Sequence, residues 1–223
     1  MKQLFLKKEG NPRLLLFFSG WGADDHLFDR PVAEGYDYML CFDYRNLDFD
    51  FTLLDGYREI RLLAWSMGVW AAGRVLAGHD EYSFSLKLAV NGTPYPIHDT
   101  KGIPVAIFKG TLDQFSPATL VRFRRRICGT TEQVKEFLSH HPYRPEEELG
   151  EELACLWQTA AKEYADSLKW DKAIVGMRDK IYPPVNQYRA WGDTPVCEVD
   201  CDHYDAGLFD GLIGGREEIW TKP

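Results

Sequence analysis

The chain has 223 residues, 45% hydrophobic and 27% charged, with a net charge of −8. This composition excludes a disordered polypeptide, and the acidic balance opposes nucleic acid and anionic lipid as partners. The length suits one domain, or one core carrying an insertion, and no run approaches the ~18 apolar residues of a membrane span. At the N-terminus, Lys7, Lys8 and Glu9 interrupt the apolar run, so a secretory signal is not expected and the chain reads as cytoplasmic. Five scattered cysteines, an odd number, read as free thiols. Cys197 and Cys201 have no second Cys or His pair that would complete a zinc site.

In chain order, Leu14 to Phe18 (LLLFF) is a short, wholly apolar run stopped by Ser19-Gly20, the pattern of a strand covered on both faces. Tyr38 to Phe42 repeats it and ends at Asp43. Ile60 to Trp65 predicts a third strand, Gly68 to Gly78 the helix after it, and Leu86 to Val90 a fourth strand ending at Asn91-Gly92. From about Tyr95 to Trp170 the spacing turns helical, over 118–127, 132–139 and 146–165, with Gly129 and Pro142 as breaks. Strands resume at Lys172 to Val175 and Val196 to Val199. The fold class is therefore α/β, with a mostly parallel sheet flanked by helices. The core comprises 1–94 and 171–223, and a helical cap is inserted over 95–170.

The stretch Ala64-Trp65-Ser66-Met67-Gly68 places one serine at a strand-to-helix corner. A nucleophile elbow needs small residues at both ends of such a pentapeptide; here the second is glycine and the first is alanine. A plain helix N-cap serine is the alternative on these five residues alone. The order of later residues favours the elbow, because in α/β-hydrolases the nucleophile is followed by an acid and then a histidine, each at a strand end. Asp179 follows the strand at 172–175, and His203 follows the strand at 196–199. In these roles Ser66 attacks an ester carbonyl, His203 shuttles the proton, and Asp179 fixes the imidazole tautomer. The oxyanion donors would be the backbone N–H groups of Met67 and of Trp21, the latter in the Ser19-Gly20-Trp21-Gly22 loop. Asp113 competes for the acid, since Gly110, Asp113 and Pro117 repeat the spacing of Gly176, Asp179 and Pro183. Asp179 is preferred because it lies just before the histidine strand.

FFSGWGADDHLF, CFDYRN, LLAWSMGVWAA, GIPVAIFKGTLDQFSP and DCDH together resemble the BioG type of pimeloyl-[acyl-carrier protein] methyl ester esterase, over nearly the whole chain. The GWG loop and the serine stretch are also similar to the BioH esterase, which has a helical cap opened by a GI-P stretch. That likeness places Asp113 in the cap. Two departures stand out: Ala64 at the first elbow position, and Ser19 where many hydrolases have histidine. The resemblance implies removal of the methyl group from carrier-bound pimeloyl methyl ester in biotin synthesis, with no metal or organic cofactor. It also implies an apolar acyl tunnel, for which Trp21, Trp65, Trp70 and Phe123 are candidate linings, each with core packing as the plainer alternative.

Rivals are another carboxylesterase or a thioesterase using the same triad, and a noncatalytic hydrolase-fold binding protein. Finally, Arg122, Arg124, Arg125 and Arg126 crowd one segment in which Leu120, Phe123 and Ile127 share a helical face, turning the arginines outward. They either pair within the chain, with Glu132 or Glu136, or receive an acidic partner. The resemblance implies the second, with acyl-carrier protein as the partner.

Overall fold

The computed structural model describes residues 1–160 and 168–221. Seven strands form one sheet: β1 (Lys2–Lys7), β2 (Arg13–Phe18), β3 (Tyr36–Phe42), β4 (Glu59–Trp65), β5 (Phe84–Val90), β6 (Lys172–Gly176) and β7 (Val196–Val199). Their order is β1-β3-β2-β4-β5-β6-β7, with β1 antiparallel to β3 and the remaining pairs parallel. The helices are α1 (Asp25–Phe28), α2 (Met67–Leu76), α3 (Val105–Asp113), α4 (Pro117–Cys128), α5 (Thr131–Ser139), α6 (Glu146–Ala160), α7 (Pro184–Trp191) and α8 (Ala206–Ile213).

The apolar runs are unbroken because the central strands are covered on both faces. Leu14, Leu16, Phe17 and Phe18 of β2, and Leu62, Leu63 and Ala64 of β4, are wholly buried. α2 lies against β2 and β4 and buries all but one of its residues, Arg74, which explains why it shows almost no polar face. β1 alternates exposed and half-buried positions and carries Lys2 and Lys7, as a protected sheet edge does.

Four helices, α3 to α6, lie between β5 and β6. The sequence predicts three of them; the last predicted turn, 161–165, lies outside the described residues. α6 is tied to the sheet by Glu152, whose buried carboxylate accepts the Tyr44 backbone N–H at 2.8 Å and pairs with Arg144 at 2.6 Å. Arg144 also meets Asp43 at 3.1 Å. Burial raises the Glu152 pKa above the ordinary carboxylate range despite that guanidinium. Among the described residues no helix is long and apolar enough to cross a membrane. All five cysteines are free, and burial pushes Cys128 and Cys201 up to about 12, which keeps them as thiols at neutral pH.

Parallel register brings the strand ends to one edge: Phe18 pairs with Ala64, Trp65 with Val90, Val90 with Ile174, and Gly176 with Val199. The chain moves outward from β2 to β3 in one direction and from β4 to β7 in the other. β2 and β4 therefore flank the reversal point at which such sheets open a crevice.

Candidate active site

Ser66 follows β4 at that crevice with φ 58° and ψ −125°, a left-handed conformation that is costly for a side-chain-bearing residue. The turn is held by Ser66 N–H donating to the Val90 carbonyl at 3.0 Å. Close backbone approach makes it possible. A Cβ on Gly68 would lie 2.1 Å from the Phe18 carbonyl oxygen, and one on Gly92 would lie 2.4 Å from that of Ser66. Ala64, in place of the first elbow glycine, is fully buried between Phe18 and Ala89 on the neighbouring strands. Ser66 makes no N-cap hydrogen bond with its side chain; its Oγ lies 3.0 Å from His203 Nε2.

His203 is buried, and its Nδ1 lies 2.9 Å from Asp179 Oδ2. With Nδ1 donating to that carboxylate, Nε2 is left to accept from Ser66, the tautomer a general base requires. Asp179 is itself fixed: its Oδ1 accepts the backbone N–H groups of Ile181 (2.7 Å) and Tyr182 (2.9 Å), and its Oδ2 accepts Gln187 Nε2 at 3.1 Å. Asp113, the competitor, ends α3 on the exposed surface, where Lys109 reaches both its oxygens at 2.8 Å. The structure brings Ser66, Asp179 and His203 together and leaves Asp113 outside.

Three supporting residues escape sequence reasoning. Asn91, at φ 45°, donates to the carbonyls of Asp202 and His203, both at 3.0 Å, and accepts the Gly176 N–H at 2.6 Å. It thereby ties the loops bearing the histidine and the aspartate to the end of β5. Its position beside the serine edge was the available signal. Tyr182 stacks on the imidazole at 5.9 Å with a 6° interplanar angle, and its hydroxyl reaches Met67 Sδ at 3.5 Å. Gln187 lies on α7, which a double proline conceals.

A cleft of about 510 Å³, partly open to solvent, lies over Ser66. Trp21 and Met67 line it, as do Phe123 of α4, Phe108 of α3 and Ile181. Among the described residues neither the Trp21 nor the Met67 backbone N–H donates to a protein acceptor, as oxyanion donors require. Trp65 and Trp70 do not line this cleft. Trp65 is buried against Phe28, Tyr204 and Phe209, with its indole N–H on the His203 carbonyl at 2.9 Å, and Trp70 is buried in α2.

The four arginines divide. Arg122, Arg125 and Arg126 are exposed on α4, but Arg124 turns inward, with its guanidinium on the Pro142 carbonyl at 3.5 Å. Burial lowers the Arg124 pKa from its ordinary value, so the expected exposed role is corrected for this residue: it packs under the helix. Arg126 donates to the Lys180 carbonyl at 2.7 Å. Among the described residues none of the four pairs with a carboxylate within 4.0 Å, so the intrachain partners Glu132 and Glu136 are not used.

Fold and site geometry define an α/β-hydrolase, and the fold is shared by a carboxylesterase from Nitrososphaera gargenis at TM-score 0.61, 10% identity, covering 98% of this chain and 94% of that one. Residues 1–212 match the model of the pimeloyl-ACP methyl esterase BioG family, and the chain belongs to that family. The crystal structure of BioG from Haemophilus influenzae superimposes at TM-score 0.88, with 38% identity over 99% of this chain and 100% of that one. A malonyl-[acyl-carrier protein] O-methyltransferase from Bacteroides fragilis is 45% identical over 206 residues. The match covers 92% of this chain, which spans only 41% of that protein's length.

Proposed function

We propose that the protein is a serine esterase that hydrolyses the methyl ester of pimeloyl-acyl-carrier protein, giving pimeloyl-acyl-carrier protein and methanol for biotin synthesis. The observation that carries this reading is the unbroken Ser66–His203–Asp179 hydrogen-bond chain facing an apolar cleft, in a chain of the BioG family. Ser66 Oγ attacks the distal ester carbonyl while His203 Nε2 takes its proton. The developing oxyanion is received by the Met67 and Trp21 backbone N–H groups. The bond to the methoxy oxygen breaks as His203 returns the proton, and methanol leaves. Water, deprotonated by the same imidazole, then attacks the acyl-enzyme carbonyl and frees the carrier-bound acid. Each step uses groups of this chain and water.

The helices between β5 and β6 act in this reading as a cap over residues 95–170, seated on the core formed by 1–94 and 171–223. A surface groove of about 820 Å³ between α3 and α4 shares Ile107, Thr111, Phe123 and Arg126 with the Ser66 cleft, and Arg122 stands on its wall. This groove supplies the entry path for an acyl chain tethered to a carrier. The exposed arginines, free of carboxylate partners among the described residues, then receive the acidic carrier surface. The family's name and that of the Bacteroides fragilis relative both refer to acids held on acyl-carrier protein, which supports this partner.

Reversing the charge of Arg122 and Arg125 together raises KM for the carrier-bound ester by about tenfold or more, the effect of removing complementary surface charge. KM for a small free methyl ester moves far less. Steady-state kinetics on both substrates check this, and equal losses on the two would contradict carrier docking at α4.

A further inference from the structure

The two oxyanion donors are held by different means. The Met67 N–H belongs to the first residue of α2, so the helix fixes it, whereas the Trp21 N–H lies in the loop from Ser19 to Asp24, outside any helix or strand. A donor that stabilises a developing charge must be fixed before the charge forms, so groups outside that loop have to hold it.

Tyr44, buried just beyond β3, is one of them. Its hydroxyl donates to the Ser19 carbonyl at 2.7 Å, with the Cys41 carbonyl farther off at 3.2 Å. The Ser19 N–H and hydroxyl both donate to that Cys41 carbonyl, at 2.9 and 3.2 Å, so Ser19 is pinned at both ends of its backbone. From the Ser19 carbonyl to the Trp21 N–H the chain has one pivot, Gly20, the residue type least able to fix its own φ and ψ. Burial raises the Tyr44 pKa well above the ordinary phenol range, which keeps its hydroxyl a donor at neutral pH.

A second tie comes from the helices over the cleft. The Trp21 indole N–H donates to the Leu149 carbonyl of α6 at 3.1 Å. About one turn on, Glu152 accepts the Tyr44 backbone N–H at 2.8 Å, and the adjacent Leu153 lines the cleft. Tyr44 thus grips the loop at Ser19, α6 grips it at Trp21, and Glu152 joins the two.

We infer that Tyr44 is a positioning residue for the oxyanion site, holding the Trp21 backbone N–H in place through Ser19, in concert with the indole tie to α6. This rests on the esterase reading above. Tyr44 does not line the cleft and acts through the loop.

The test measures kcat and KM on a small methyl ester, and Ki for the matching trifluoromethyl ketone, in wild type, Tyr44→Phe, Trp21→Phe and Tyr57→Phe. Ser66 Oγ bonds to the ketone carbon, its proton passes to His203 Nε2, and the former carbonyl oxygen carries the negative charge between the two donors. Ki therefore reports the oxyanion site and does not depend on the amount of folded enzyme. Tyr44→Phe lowers kcat by about tenfold or more with KM little changed, short of the roughly 10²- to 10³-fold cost of losing a donor outright, and weakens Ki by a similar factor. Trp21→Phe keeps the backbone N–H, loses the indole tie, and shifts kcat and Ki in the same direction. Tyr57→Phe removes a hydroxyl bond to Asp37 at the other end of β3 and leaves kcat and Ki at wild-type values.

A wild-type Ki in Tyr44→Phe, or an equal weakening in Tyr57→Phe, would overturn the inference and leave the esterase reading intact. Trp21→Phe decides the matter if Tyr44→Phe does not fold, and a wild-type Ki there equally overturns it. Ketone binding that weakens in Tyr44→Phe, in a protein whose wild type hydrolyses no ester, would support the positioning role and contradict the esterase reading. Neither ketone binding nor hydrolysis in wild type would overturn both.

Discussion

Ser66→Ala abolishes ester hydrolysis, with kcat falling on the order of 10⁴- to 10⁶-fold and substrate binding little changed, because only the bond-forming atom is removed. The residual rate over water comes from the oxyanion donors and from positioning. The substitution takes one hydroxyl from a buried site and leaves His203 Nε2 without its 3.0 Å partner, while Asp179 still holds the ring at Nδ1. The fold survives, since the elbow is built by the Val90 carbonyl and by the glycines at 68 and 92. Thermal denaturation beside kinetics separates loss of chemistry from loss of structure. Wild-type turnover in a folded Ser66→Ala variant would remove the nucleophile assignment.

Asp179→Asn has the second largest effect, a loss in kcat of about 10⁴-fold, as expected when the imidazole is driven into the wrong tautomer. An amide nitrogen facing His203 Nδ1 would favour Nδ1 as acceptor, placing the proton on Nε2 where Ser66 must donate. The amide also meets the N–H groups of Ile181 and Tyr182 and the side chain of Gln187, all of which donate to a carboxylate in the native protein. Asp113→Asn leaves the rate unchanged, because it alters only a surface pair with Lys109. Rate measurements on the two variants decide between the acids, and a reversed outcome would reassign the triad.

Much of this site is legible in the sequence because a parallel sheet places chemistry at strand ends. Four apolar runs, each stopped by a small or polar residue, are enough to place Ser19 to Trp21, Ser66, Asp179 and His203 on one edge. Local pattern is less informative wherever an element is half-buried or begins with an apparent breaker. β1 is not predicted, since Lys2 and Gln3 on one side and Lys7 and Lys8 on the other leave an apolar run of only Leu4, Phe5 and Leu6. α7 is hidden by Pro183 and Pro184, although proline is well suited to a first helical turn. α8 is not predicted either: glycines at 207 and 211 weaken its helical pattern, and Asp205 caps it through the Leu208 N–H.

Side-chain direction is the other limit. A run of four arginines in five residues must wrap most of the way around a helix, so one of them, Arg124, faces the protein. Composition does not separate a tunnel wall from a core either. Trp21 and Phe123 line the cleft, whereas Trp65 supports His203 from behind and Trp70 fills the core. Asn91 shows what tertiary structure adds. Its one side chain links three strand ends distant in sequence, whereas the sequence itself offers only its place at the end of β5.

The central claim is that this site removes a methyl group from a carrier-bound ester. Its most direct test is mass spectrometry of pimeloyl-acyl-carrier-protein methyl ester after incubation with the wild-type protein. The account predicts an acyl chain lighter by one methylene and still attached to its carrier. Release of the whole acyl group would make the protein a thioesterase, and an untouched ester under conditions in which Ser66 reacts with a fluorophosphonate would contradict the proposed substrate.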